Sequence, residues 1–190
     1  MRRKLALLRE LDAPAEIYRR WDAAEVDDDF AGYEVPRIED GAEPARDWPG
    51  GLGDWFRLCA TANFGRVSMS PERSVAPQSA VDSLGEPIDD RSWLRIGDVG
   101  HEDAILMDAE SGEVIVYFDR YFKYGWASPV MLRRPDVPAF IDTVALGPGH
   151  RELLGPTGDD PWWATDPWYA YLREIGLIPG EHPIPCEEAP

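Results

Sequence analysis

The chain has 190 residues, enough for one domain with a real hydrophobic core and short of two comfortable ones. It is 44% hydrophobic and 11% aromatic, and 36 acids against 19 Lys and Arg give a formal net charge of −17. That sign excludes binding that draws its affinity from cations on phosphates, whether of nucleic acid or of an anionic membrane surface, and it favours a basic protein partner.

Leu5, Leu8 and Leu11 recur at helical spacing, and Asp12-Ala13-Pro14 punctuates that segment. A second helix is expected from about Ala15 to Ala24, with Ile17 and Trp21 on one face. The opening "MRRKLALLRELD" imitates an export signal over four residues, but Arg9, Glu10 and Asp12 interrupt its apolar run. No stretch approaches the ~20 apolar residues that cross a bilayer. With only Cys59 and Cys186, no disulfide framework is expected, and Cys59 reads as a buried free thiol. The expected location is cytoplasmic.

Residues 25–54 read as loop, dense in Gly, Pro and acids, with a strand-like island at Tyr33–Val35. "DWFRLCATANF" reads as a short helix or a buried strand, and "FGRVSMS" alternates as a strand. Residues 71–92 read as a long polar connection. "WLRI", "AILMD" and "EVIVYFD" then read as three strands, with "AESG" as the turn between the last two, and "FKYGWASPVMLRR" as a further strand pair. Asp136 is placed to cap a helix carrying Phe140, Ile141 and Val144, with Pro138 in its first turn. Asp166 is placed to cap a last helix that begins at Pro167 and stops at Gly176. This order predicts an α+β domain over residues 1–178, its sheet largely antiparallel and flanked by N-terminal and C-terminal helices, followed by a tail at 179–190.

Acids concentrate in two places. Residues 22–47 hold ten acids and two bases, and residues 82–119 hold eleven and two. Catalysis is the first use to weigh. Of the three histidines, His101 is the best candidate, standing beside Glu102, Asp103 and Asp108, yet no paired metal-ligand spacing occurs and alternation sends adjacent strand residues to opposite faces. Asp103 and Asp108 could flank a substrate as acid and base. The simpler reading has Asp103 capping amides at a strand start and Asp108 opening a hairpin through an Asx-type bond. "GGLG" at 50–53 lacks the partners of a phosphate cradle and "DDD" at 27–29 lacks the rest of a calcium loop, so both read as surface loop. No nucleophile motif occurs, and neither a catalytic residue, a metal nor a cofactor is expected. "DDPWWATDPWYAY", residues 159–171, packs five aromatic rings between acids; most are expected in the core, but Trp162 and Trp163 cannot easily share one buried direction.

Trp93, Ile96-Gly97, Asp103, Ile105 to Asp108, Ser111-Gly112 and Val114, followed downstream by a helix with Phe140, resemble the signature of the SUKH superfamily of bacterial immunity proteins. The resemblance implies an α+β fold and a non-enzymatic role: binding and neutralising a cognate toxin, often a nuclease or deaminase. Charge and exposure then nominate Glu102, Asp103, Glu110, Trp162 and Trp163 as partner contacts. Two rival readings are a regulatory protein-binding module of the same fold, and a metal-assisted enzyme built on Asp103, Asp108, Glu110 and His101.

Overall fold

"AILM" and "VIVY" are runs of four apolar residues in strands, where successive side chains point to opposite faces. A sheet carrying such runs must be covered on both faces. The computed structural model, which describes residues 1–23, 37–100, 103–153, 163 and 166–178, has this form.

The fold is α+β. Its strands are β1 (Arg37–Asp40), β2 (Cys59–Phe64), β3 (Val67–Met69), β4 (Ala76–Pro77), β5 (Trp93–Val99), β6 (Asp103–Asp108), β7 (Val114–Tyr117) and β8 (Val130–Arg134). They form one sheet in the order β1-β2-β3-β5-β6-β7-β8, with every described pairing antiparallel. The short β4 also pairs with β5, opposite Leu94 and Arg95, while β3 pairs further along at Gly97–Val99.

One face carries the main core. On it lie α1 (Arg2–Glu10), α2 (Ala13–Ala23), α3 (Leu52–Leu58), α4 (Val137–Phe140) and α5 (Pro167–Glu174). These helices bury Leu5, Leu8, Ile17, Trp55, Phe56, Phe140, Trp168 and Leu172 against Ile105, Met107, Val114 and Val116 of the sheet. Asp136 accepts a hydrogen bond from the Ala139 amide at 2.7 Å, and Asp166 accepts one from the Tyr169 amide at 2.7 Å, so both expected caps are made. Helix α4 widens into a π-turn over Ile141–Ala145, where the Leu146 amide donates to the Ile141 carbonyl at 2.9 Å.

The other face has a smaller core of Ala80, Trp93, Ala104, Leu106, Ile115 and Tyr117. Its cover is the 71–92 connection, expected to be a polar linker. That segment is a strap: it folds into a small hairpin closed by the Val81–Pro87 bridge and lays Ala80 and Ile88 on the sheet. Polar composition concealed this because only those few apolar side chains face inward.

Other expectations shift in detail. Helix α1 ends at Glu10, so Leu11 sits at its C-cap and is exposed. Helix α2 starts at Ala13 rather than Ala15, since Pro14 is tolerated in a first turn. "DWFRLCATANF" is both alternatives in succession, helix α3 and then strand β2. The first strand lies at Arg37–Asp40, while the island at Tyr33–Val35 falls outside the described residues. "FKYGWASPVMLRR" holds one strand, β8, preceded by a 3-10 turn at Tyr121–Tyr124. Strand β5 continues past Ile96 to Val99, with a bulge between Arg95 and Gly97. No helix among the described residues is long and apolar enough to cross a membrane.

Candidate functional site

The motif residues of the central strands hold the architecture together at two backbone crossings. The bulge at Arg95–Gly97 inserts one extra residue, so Arg95 and Asp98 emerge on the same face and form an ion pair; in a regular strand residues three apart point to opposite faces. Gly97 lies flat against β3, where a side chain would collide with the Ser68 carbonyl. At the opposite end of the hairpin, Gly112 is pressed against Gly50. "GGLG" is therefore not the surface loop expected. It is a close crossing of backbone over the β6–β7 turn, and the Gly50 carbonyl accepts from the Val137 amide at 3.0 Å to bring α4 onto the same point.

Asp108 performs the turn chemistry expected of it. Its carboxylate accepts from the Ser111 hydroxyl at 2.6 Å and from the Glu110 and Ser111 amides at 3.3 Å each. Burial opposes its charge, but those hydrogen bonds and the Arg91 guanidinium together hold its carboxyl below the ordinary carboxylate range. Glu113 next to the turn takes Arg91 and Arg133, the latter at 3.0 Å. Asp108 and Glu113 are engaged with hydrogen bonds or cations from their own fold, and the Glu110 carboxylate has no such partner among the described residues. Glu110 is exposed at the turn.

Asp103 lies elsewhere. It begins β6, paired with Val99, about 17 Å of strand from the hairpin turn. Asp103 and Glu110 therefore do not belong to one compact patch. The loop residues next to it, 101 and 102, fall outside the described residues, and among the described residues Asp103 caps no amide. Instead, desolvation and the negative charge of Asp119 push the Asp103 carboxyl up to about 6. No cation among the described residues pairs with it.

Of the remaining nominated contacts, Glu102 and Trp162 fall outside the described residues, as do His101, His182, Cys186, the Asp27–Asp29 run and the tail. Trp163 is half-buried and packs against the main core, while Trp168, Tyr169 and Tyr171 are fully buried. The Trp168 indole donates to the Ala145 carbonyl at 2.9 Å.

The end of the sheet occupied by Asp103 also carries a feature that sequence reading missed. Asp119 follows β7, and the connection from Phe118 to Trp126 gathers aromatic rings. Phe118, Tyr124 and Trp126 contact one another at ring-centroid separations of 5.4, 5.2 and 6.1 Å, and Tyr121 meets Phe122 edge to face at 5.8 Å. Phe122 is 49% and Tyr124 65% exposed. The signal in the sequence was Gly125 inside "YFKYGW". It takes φ +71°, which breaks strand alternation and turns the chain.

Two buried groups stand apart from this surface. Cys59 is a free, buried thiol pushed up to about 11 by burial, with Arg9 beside it offsetting part of the shift; this state is unreactive. His150 Nε2 lies 3.9 Å from Asp166 Oδ2, both fully buried. Desolvation drives His150 down to about 3, with Arg66 adding to it, and drives Asp166 up to about 7. Burial thus favours the neutral form of both, and their proximity is not an ion pair. Among the described residues, no three His, Cys, Asp or Glu side chains gather as a metal-ligand set.

The chain matches no family model, no curated protein and no solved structure.

Proposed function

We propose that this protein is an immunity-type inhibitor, SUKH-like, which binds and neutralises a cognate toxin of nuclease or deaminase class through an acidic surface. The observation that carries the reading is Asp103. Its carboxylate is partly desolvated, faces the like charge of Asp119, and has no cation pairing with it among the described residues. Ionising such a group costs the isolated fold stability, and a cation brought by a partner would relieve that cost. The resemblance of residues 93–118 to the SUKH signature supports the reading, as does the net charge of −17, which suits the basic groove that a nuclease presents to phosphates. The inhibitor needs no reacting group of its own: occupying the groove is sufficient. The interface would bury on the order of 1,600 Å² in total.

The test is co-expression. The product of a gene adjacent to this one should arrest growth when expressed alone and be harmless when expressed with this protein. The two should co-purify at equal stoichiometry and separate as salt rises. Unchanged growth arrest on co-expression, or a neighbouring product that is harmless by itself, defeats the immunity reading.

A further inference from the structure

The exposed rings of the β7–β8 connection are placed as an interaction surface. Phe122 and Tyr124 are exposed together on one loop, whereas Trp55, Trp93, Trp168, Tyr169 and Tyr171 are buried, and such rings are the side chains that dominate binding energy at interfaces. The loop is also pre-shaped. The Phe118 amide donates to the Pro129 carbonyl at 2.8 Å, the Trp126 amide donates to the Tyr121 carbonyl at 3.2 Å, and Gly125 closes the turn. The Tyr121 hydroxyl accepts from the Ser83 amide at 3.1 Å, and the Tyr117 hydroxyl accepts from the Val81 amide at 3.1 Å. These bonds dock the loop onto the tip of the strap hairpin. That tip exposes Leu84 at 84%, next in sequence to the Ser83 that meets Tyr121, and is itself held by Asp82, which accepts from the Leu84 and Glu86 amides. Little ordering would remain to be done when a partner arrives.

We propose that the Phe118–Trp126 loop and the strap tip at 82–86 form the docking surface for a basic segment of a second protein, with Phe122 and Tyr124 as its anchors. The proposal rests on the partner-binding reading above and names the surface that reading left open. Charge selects the occupant. Asp82 and Glu86 belong to the strap tip, and Asp103 and Asp119 lie at the same end of the sheet as the loop, against Arg120 and Lys123 within it; Arg120 lies 3.8 Å from Asp119. A guanidinium from the partner can stack on an exposed ring and pair with a neighbouring carboxylate in one placement. A second copy of this chain would bring another net charge of −17 to the same surface and is disfavoured.

The probe is a displayed library of random dodecapeptides, panned on the full chain and, separately, on the F122S/Y124S variant. Both positions are exposed and their ring contacts stay within the loop, so the variant should melt within a few degrees of wild type. Wild type should enrich peptides that combine Arg or Lys with apolar residues, and the variant should bind those peptides about tenfold more weakly or worse. A second variant, E86Q/D119N, should leave the apolar preference intact and flatten the salt dependence of binding. Equal binding of the enriched peptides to wild type and F122S/Y124S overturns the loop assignment. Enrichment of acidic peptides, or of none, overturns the basic partner. In the co-expression test, protection by F122S/Y124S equal to wild type would remove this surface while immunity stands; failure of wild type itself to protect would remove immunity and leave the peptide result to decide the loop alone.

Discussion

Gly50 and Gly112 meet backbone against backbone, so that a side chain added to either would strike the other's main chain. One belongs to the loop entering α3 and the other closes the β6–β7 turn, 62 positions along the chain. Gly112 also takes φ +78°, in the left-handed region. Replacement by alanine therefore incurs two penalties, backbone strain and a collision that neither chain can avoid.

Gly112→Ala should lower stability by about 2–4 kcal/mol, read as a fall in the urea midpoint at unchanged slope. Gly125 separates the two contributions, because it takes φ +71° with open space around it. Gly125→Ala should cost only about 1–2 kcal/mol. Equal losses at the two positions would mean that the crossing of Gly50 over Gly112 is not tight.

Asp108→Ala should cost about 1–3 kcal/mol near neutral pH, since it removes the acceptor that holds the Ser111 hydroxyl and two turn amides. The folded pKa lies below the ordinary 3.8, so this contribution is present above 3.8 and is lost as the pH falls through the folded value. The gap between the urea midpoints of wild type and variant should narrow in acid. Asp108→Asn keeps an acceptor and should retain most of the stability.

At Asp103 the sign is opposite. Its carboxyl titrates near 6 in the fold against 3.8 ordinarily, so its stabilising contribution is complete below 3.8 and is lost as the pH rises through about 6. Asp103→Asn should leave the melting temperature unchanged at pH 4 and raise stability by about 1–2 kcal/mol at pH 8. The same substitution should weaken binding to a basic partner. A variant that gains stability and loses affinity is the expected mark of a carboxylate kept for recognition.

The buried His150–Asp166 contact gives a further pH signature. Asp166, raised to about 7, contributes stability present below 3.8 and lost as the pH rises through 7. His150, depressed to about 3, contributes stability present above 6.5 and lost as the pH falls toward 3. Asp166→Asn preserves the cap on the Tyr169 amide and should remove the part of the alkaline loss centred near 7, leaving the Asp103 part and the acid loss in place. Melting temperatures between pH 4 and 9 distinguish the two limbs; an alkaline limb unchanged by Asp166→Asn would leave Asp103 as its source and remove Asp166 from it.

Local chemistry determined much of this protein. The Asp136 and Asp166 caps, the Asp108–Gly112 turn, the central apolar strands and the α+β class were readable because each depends on residues within a few positions of one another, through one hydrogen bond or one periodicity. Tertiary structure decided the rest. The 71–92 segment covers a second core with a few inward side chains, which a polar average hides. Gly50 and Gly51 have no room for a side chain because Gly112, 62 positions away, crosses the first and Pro138 packs on the second, and no local rule carries that information. Asp103 and Asp108 sit in the same strand with the same chemistry, yet one is drawn down by donors and the other pushed up by burial and Asp119. Which carboxylate is satisfied and which has no cation beside it among the described residues depends on what the fold brings next to it, and that is set by packing between distant segments.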